Sequence, residues 1–335
     1  MNNDVILAVK EIRTQFATGG KIKKVLDGLS FSIREGRVMG LVGVSGTGKS
    51  VLAMTILNLV SPPGRIVGGE VLLKGIDILK ASEHDLRRIR GRELTLVSQD
   101  PYTFMDPLYT VGDQVIEVIR AHDRVSRKKA RDRAIQLLAT VGIPDPERRL
   151  LNYPHQFSGG MQQRVIIAMA IACNPSLIVL DDPTRSLDVT IQAQILGVLS
   201  DLRKRIHTTM LLISASVQVV AQFADDIMTI FNGRCMEMGP KRTLLVSPRH
   251  PYTRNLLEAV PSLEGERLKR LKGIELLHRG DQGSGCVFYR YCEKGENRCR
   301  ETQPELTQVG EDHFCTCHFF DGEAGLGRKL GVAEI

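Results

Sequence analysis

Residues 38–60 read VMGLVGVSGTGKSVLAMTILNLV: an apolar run, a glycine-rich turn, then a second apolar run. The segment GVSGTGKS (43–50) fits G-x-x-x-x-G-K-[ST], with Gly43, Gly48, Lys49 and Ser50 at the fixed positions. A strand, a turn and a helix in that order are the context the pattern requires. Glycines let backbone N–H groups curl around phosphate oxygens, and the helix N-terminus adds a favourable dipole. Gly43, Ser45, Gly46, Thr47, Gly48, Lys49, Ser50 and Val51 are therefore the candidate phosphate contacts. Lys49 is expected to neutralise β- and γ-phosphates, and the Ser50 hydroxyl to join a Mg²⁺ shell.

A second stretch supplies the matching half. LIVLDDPTRSLDVT (177–190) runs four apolar residues into Asp181 and Asp182. A buried strand that ends in aspartate can deliver a Mg²⁺ ligand, here Asp181. The following acid is placed to polarise water, and a glutamate would reach further than Asp182.

Outward from these two stretches, residues 5–13 and 29–34 read as short strands and EVLLKGIDI as a hairpin strand pair. Residues 111–142 read mainly as helices, with a basic run at Arg124–Arg133 that fits a solvated helix face. Helices are expected at 161–173 and 190–206, and strands at 177–181 and 209–214. Strands alternating with helices imply an α/β fold with a mostly parallel sheet. After Gly239–Pro240 the pattern weakens and turns polar and cysteine-rich, so a domain boundary is placed there: 1–240 and 241–335.

The chain has 335 residues, 42% hydrophobic and 25% charged, with 45 Lys plus Arg against 38 Asp plus Glu for a net +7. This is an ordinary globular composition, and the charge is too diffuse to choose among phosphate ligands, anionic lipid and nucleic acid. No run of 18 apolar residues and no signal-peptide pattern is present, which points to the cytosol. Of 7 cysteines, Cys286, Cys292, Cys299, Cys315 and Cys317 cluster near the end. In a reducing compartment such a cluster favours metal over disulfides, and four thiolates can hold a [4Fe–4S] cluster or a zinc ion.

FSGGMQQRVIIAMAI (157–171) brings a second helix start, at Ser158-Gly159-Gly160. One chain rarely needs two phosphate-binding helix starts for one nucleotide, whereas two chains facing head to tail do. The sequence resembles the ATP-binding subunit of an ABC transporter, a P-loop ABC-type nucleotide-binding domain with a helical subdomain at about 100–165. In that resemblance 43–50 is the Walker A loop, SQDP with Gln99 the Q-loop, 157–163 the signature, 177–181 Walker B and SLD (186–188) the D-loop. QDPYTFMDPLYTVGDQ, YPHQFSGGMQQRV, DVTIQAQIL and HPYTRNLLEAVP are similar to the dipeptide/oligopeptide/nickel importer branch, whose C-terminal extension begins near His250–Thr253.

The resemblance implies ATP and Mg²⁺ as ligands. It implies contacts from Phe16 to adenine, from Gln99 to Mg²⁺ or the attacking water, and from Ser158, Gly159, Gly160 and Gln162 to a partner's nucleotide. Two transmembrane permease subunits, a second ABC ATPase subunit and, indirectly, an external solute-binding protein are the implied partners, with no nucleic acid. The implied location is peripheral, on the cytoplasmic face of the inner membrane. Cys286, Cys292, Cys299 and Cys317 are implied ligands of a [4Fe–4S] cluster, Cys317 being chosen over Cys315 because it directly precedes a histidine. Two departures from the family pattern fall in one pocket. Asp182 stands for the catalytic glutamate, its carboxylate withdrawn by about 1.5 Å, and Ala215 stands for the switch histidine. A site that binds ATP but hydrolyses it poorly is expected, within a heterodimer whose other ATPase is competent. Non-transport ABC ATPases usually carry tandem halves or a coiled-coil insertion, absent here. A regulatory ATP-binding module is the alternative.

Overall fold

A computed structural model describes residues 4–185, 187–260 and 284–320, and the backbone of 328–329. The described residues form two compact units, one drawn from 1–33, 37–79 and 212–335, the other from 34–36 and 80–211.

In the first unit, strands Val5–Thr18 and Lys21–Arg34 meet at Gly19-Gly20, both at positive φ. Gly64–Leu73 pairs antiparallel with Val5–Thr18, with Leu7 opposite Leu73 and Phe16 opposite Gly64, and Ile76–Asp77 folds back beside Leu72. This antiparallel sheet corrects the expectation of a mostly parallel one. Its strands also run well past 5–13 and 29–34. Lys21, Lys23 and Lys24 are exposed, so this arm has no apolar alternation to betray it.

A second ladder in the same unit carries the phosphate loop. Val38–Val42 is buried at all five positions and pairs in parallel with Asp226–Phe231, in a register from Met39↔Asp226 to Val42↔Thr229. An Asn232-Gly233 turn, both residues at positive φ, returns the chain into Arg234–Pro240, which pairs antiparallel with Asp226–Phe231. Gly40 admits helix Val217–Phe223, since a Cβ there would sit 2.3 Å from Val220 Cγ1.

Segments after Pro240 pack into this unit. His313–Cys315 pairs with Arg234–Pro240, with Cys315 opposite Glu237, and Thr307–Gly310 pairs with His313–Cys315. Helix Pro251–Glu258 buries Tyr252, Thr253 and Leu256.

The second unit pairs Leu94–Val97 in parallel with Leu177–Asp181. Around them stand helices Val111–His122, Arg127–Thr140, Gly159–Ala170 and Val189–Ile206. Thr110, Ser126, Ser158 and Asp188 cap these helices, each side chain accepting a backbone N–H from three residues on. The basic run lies largely exposed, with Arg127 on Asp113 at 2.7 Å and Arg133 on Asp123.

Glu237 joins three elements of the first unit. It is 0% exposed. Its carboxylate accepts the Arg249 N–H (2.7 Å) and the His250 N–H (3.0 Å), and lies 2.7 Å from His313 Nε2. Burial pushes its pKa up, but the bonds from His313, the Arg249 amide, Thr253 and the His250 amide outweigh that and leave it below its ordinary value. A carboxylate with a depressed folded pKa contributes stability that is present above the unfolded value and lost as pH falls through the folded one. Glu237→Gln is therefore expected to cost about 3 kcal/mol at pH 7, as broken buried pairs do. Urea unfolding from pH 7 to pH 3 checks this. The gap between wild type and variant should begin to narrow as the pH falls below the ordinary value of 4.5 and close only below the lower folded value, and a gap independent of pH would rule out a charged Glu237.

Candidate nucleotide site

The loop after Val38–Val42 is built on Val44. Its carbonyl accepts Thr47 Oγ1 at 2.9 Å and Lys49 Nζ at 2.9 Å, while the same ammonium reaches the Gly43 carbonyl at 2.7 Å. The Val44 N–H donates to the Tyr252 hydroxyl at 3.2 Å, and that hydroxyl donates to the Ile230 carbonyl at 3.1 Å. Gly43 lies so near the neighbouring strand that a Cβ would come within 2.4 Å of the Ile230 carbonyl. Gly46 and Gly48 hold φ of 82° and 100°, the left-handed region that favours glycine. Ser45, Gly46 and Ser50 are exposed, whereas Thr47 and Lys49 are buried. Helix Lys49–Ile56 follows. Its first intrahelical amide bond runs from Leu52 to Gly48 at 2.9 Å, so Lys49, Ser50 and Val51 form the first turn of a helix that starts at the end of the loop. Phe16 is half-buried, its ring against Gly64.

Ala215, also of this unit, is exposed and ends in a methyl group. Ser216 Oγ accepts the Val219 N–H as cap of helix Val217–Phe223, and the Ser216 N–H donates to Ser214 Oγ at 3.1 Å. The hydroxyl beside Ala215 is thus engaged in holding a helix start.

In the second unit, Asp181 ends its strand 5% exposed, and Asp182 follows at φ 49°, half-buried. Gln99 lies half-buried in the loop between Leu94–Val97 and the short helix Pro101–Phe104. Ser158 caps its helix through the Met161 N–H at 3.4 Å. A Cβ at Gly159 would meet Tyr102 Oη and Leu187 Cδ2 at ordinary contact distance, whereas Gly160 lets helix Val189–Ile206 close in, since a Cβ there would sit 2.6 Å from Ile191 Cγ2. Gln162 corrects an expectation. It is 1% exposed and donates Nε2 to the carbonyls of Pro154 (2.8 Å) and Phe157 (3.3 Å), so it braces the signature loop from within instead of reaching outward. Ser186 of the D-loop lies outside the described residues.

In the tail, Cys286, Cys292, Cys299 and Cys317 line one pocket of the first unit, together with His250 and Phe288. Burial, reinforced by the other three thiols, pushes Cys286 up to about 11. Cys315 is fully buried in its strand opposite Glu237. Among the described residues, no three His, Cys, Asp or Glu side chains gather tightly enough to hold a metal ion. His250 Nδ1 accepts the Tyr252 N–H at 2.9 Å, which puts the neutral ring's proton on the buried Nε2. Burial holds the ring neutral, lowering its pKa to about 4.

Tyr252 and Glu237 have no assigned part in the motif reading. HPYT was legible only as a marker of the extension, and nothing local in the sequence connects position 252 to position 44.

Two family profiles match stretches of the chain. The ABC transporter family profile matches residues 26–185, and the profile of the oligopeptide/dipeptide transporter C-terminal region matches 236–299. The dipeptide transport ATP-binding protein DppD of Escherichia coli is 39% identical over 322 residues, covering 96% of this chain and 98% of its own. The oligopeptide transport ATP-binding protein OppD of Bacillus subtilis is 42% identical over 270 residues, 80% of this chain and 75% of its own. Among solved structures, the dimeric ABC transporter cassette MJ0796 superposes with a TM-score of 0.64 at 28% identity, covering 70% of this chain and 99% of that one. No helix among the described residues is long and apolar enough to cross a membrane. The chain belongs to the ABC transporter ATP-binding proteins, in the branch that carries the oligopeptide/dipeptide transporter C-terminal region.

Proposed function

We propose that this chain is the ATP-binding motor subunit of a membrane importer for peptides or similar small solutes. It works at the cytoplasmic membrane face as a heterodimer with a more competent ATPase. The observation that carries the nucleotide part is the phosphate loop: glycines at positive φ, Lys49 folded over the loop and a helix start behind it. Ser50 and Asp181 are the residues that would hold Mg²⁺, which neutralises phosphate charge when bound.

Binding ATP needs backbone donors, positive charge and a metal ligand, and all are present. Hydrolysis further needs a placed water and stabilisation of developing charge on the γ-phosphate. Asp182 is short for the first task, and misplacement by roughly 1 Å can cost on the order of 10²-fold in rate. Ala215 offers nothing for the second, and the Ser216 hydroxyl is committed to its helix cap. An unimpaired Ser158-Gly159-Gly160 helix start supports a role in completing a partner's pocket. The expected result is that Asp182→Glu with Ala215→His raises single-turnover hydrolysis at this site, measured in a complex whose partner site is inactivated. Each change alone should give less, because such groups act as a unit. Equal rates for the unmodified chain and the double variant would show the site to be unimpaired.

A run of exposed apolar side chains follows Gln99: Tyr102, Phe104, Leu108 (80% exposed) and Tyr109. Such a patch beside the Q-loop supports docking of the permease subunits there. Leu108→Asp should abolish co-purification with the permeases while leaving the dissociation constant for MgATP within about twofold, since an exposed side chain changes stability little. Retained assembly would place the permease contact elsewhere.

The four-cysteine pocket supports a [4Fe–4S] cluster. Among the described residues no three such side chains gather tightly enough to hold a metal ion, so the reading rests on four thiols that share one pocket and on the resemblance. A polynuclear cluster spreads its ligands more widely than a single ion does. When bound, the cluster would be held by four thiolates of an apolar wall. Chain purified without oxygen should be brown with about four irons per chain. Cys317→Ser should lose that iron and Cys315→Ser keep it. One zinc per chain without iron would replace the assignment.

A further inference from the structure

We propose that Tyr252 is a positioning residue for the phosphate loop, through which the C-terminal extension sets the affinity for nucleotide. The parallel ladder between Val38–Val42 and Asp226–Phe231 stops at Val42↔Thr229, where the loop must leave the sheet to curl around phosphate. One residue past Gly43, the Tyr252 hydroxyl bridges the gap, accepting from Val44 N–H and donating to the Ile230 carbonyl. The hydroxyl is thereby an extra rung, made by a side chain where backbone can no longer pair. Val44 is also the residue on which the loop closes, because its carbonyl receives Thr47 and Lys49. With its N–H held, the peptide plane before Val44 is fixed, and the loop is ordered before ligand arrives, so that ordering is not charged against binding.

Tyr252 can do this because it is itself fixed on every side. Its ring is fully buried, edge-on to Phe231 at 4.9 Å and tilted against Phe288 at 5.4 Å. Its N–H is bonded to His250 Nδ1, and Glu237 holds the amides of Arg249 and His250 immediately upstream. Phe288 belongs to the tail and lies two residues from Cys286, so the packing of the tail bears directly on the ring that props the loop.

The test uses the full chain and two substitutions. Tyr252→Phe removes one oxygen and keeps the ring. Thr253→Val removes the neighbouring hydroxyl, which meets Thr229 Oγ1 at 3.1 Å, also bonds Glu237 and does not touch the loop, so it reports on the helix start alone. MgATP affinity is measured by calorimetry, and amide exchange of the 43–47 segment without nucleotide by mass spectrometry. Tyr252→Phe should weaken MgATP binding about fivefold, the worth of one net hydrogen bond, and speed exchange in 43–47, with an unfolding midpoint matching that of Thr253→Val. Thr253→Val should leave affinity and exchange unchanged. Unaltered affinity and exchange in Tyr252→Phe, or an equal loss of affinity in Thr253→Val, would overturn the proposal, the latter because it would trace the effect to the helix and not to the rung.

Discussion

A carboxylate with no exposed surface must be surrounded by donors or it will not stay charged, and Glu237 is surrounded. The donors come from residues 249, 250 and 313, far apart in the chain, so satisfying one charge fixes three elements in register: the strand Arg234–Pro240, the start of helix Pro251–Glu258 and the strand His313–Cys315. Specificity is the useful product of such an arrangement, since an apolar replacement could match its energy but would not demand those particular partners. From this anchor the order of dependence runs outward. The helix start places His250 and Tyr252. Tyr252 meets the phosphate loop, His250 lines the cysteine pocket, and Phe288 packs against both rings.

What could be read from the sequence follows from how local each signal is. The phosphate loop is eight consecutive residues whose backbone does the work, so residue type and spacing suffice. Asp181 is legible because an apolar run ending in an acid is itself contiguous. Helix starts at 110, 126, 158 and 188 carry their own capping residues. Within the antiparallel sheet the EVLLKGIDI hairpin is legible, whereas the arm with Lys21, Lys23 and Lys24 is not, because it is exposed and its pairing is decided by its neighbour across the sheet. Gln162 was misjudged for the opposite reason. It lies inside a recognisable motif, and a motif does not say whether a residue faces the ligand or supports the loop behind it. Glu237 and Tyr252 were silent because their partners lie 76 and 208 positions away, separations no windowed pattern spans.

The chain's two candidate contributions to nucleotide chemistry therefore rest on different supports. The Walker A loop is shaped by its own glycines and by the extension through Tyr252. The signature helix is shaped by Gly160, which admits Ile191, and by Gln162 from below. Changes confined to Asp182 and Ala215 leave both supports untouched, since neither residue is among those that form them. On the proposed function, the pocket would lose catalytic reach and keep its architecture.

The pairing of Arg234–Pro240 with His313–Cys315 has a consequence for how the chain is made. Until the later strand has left the ribosome, the earlier one presents a row of unpaired amides and carbonyls beside Met236 and Met238, an open edge of the kind that recruits other chains. At ordinary rates of synthesis that interval lasts several seconds. The nucleotide-binding loop, complete by residue 50, would wait longer, through about 200 further residues of synthesis, before Tyr252 is made. Nascent chains should therefore be poor at capturing ATP and prone to misassociation until the tail docks, which makes the extension a timing device for biogenesis as well as a part of the finished subunit.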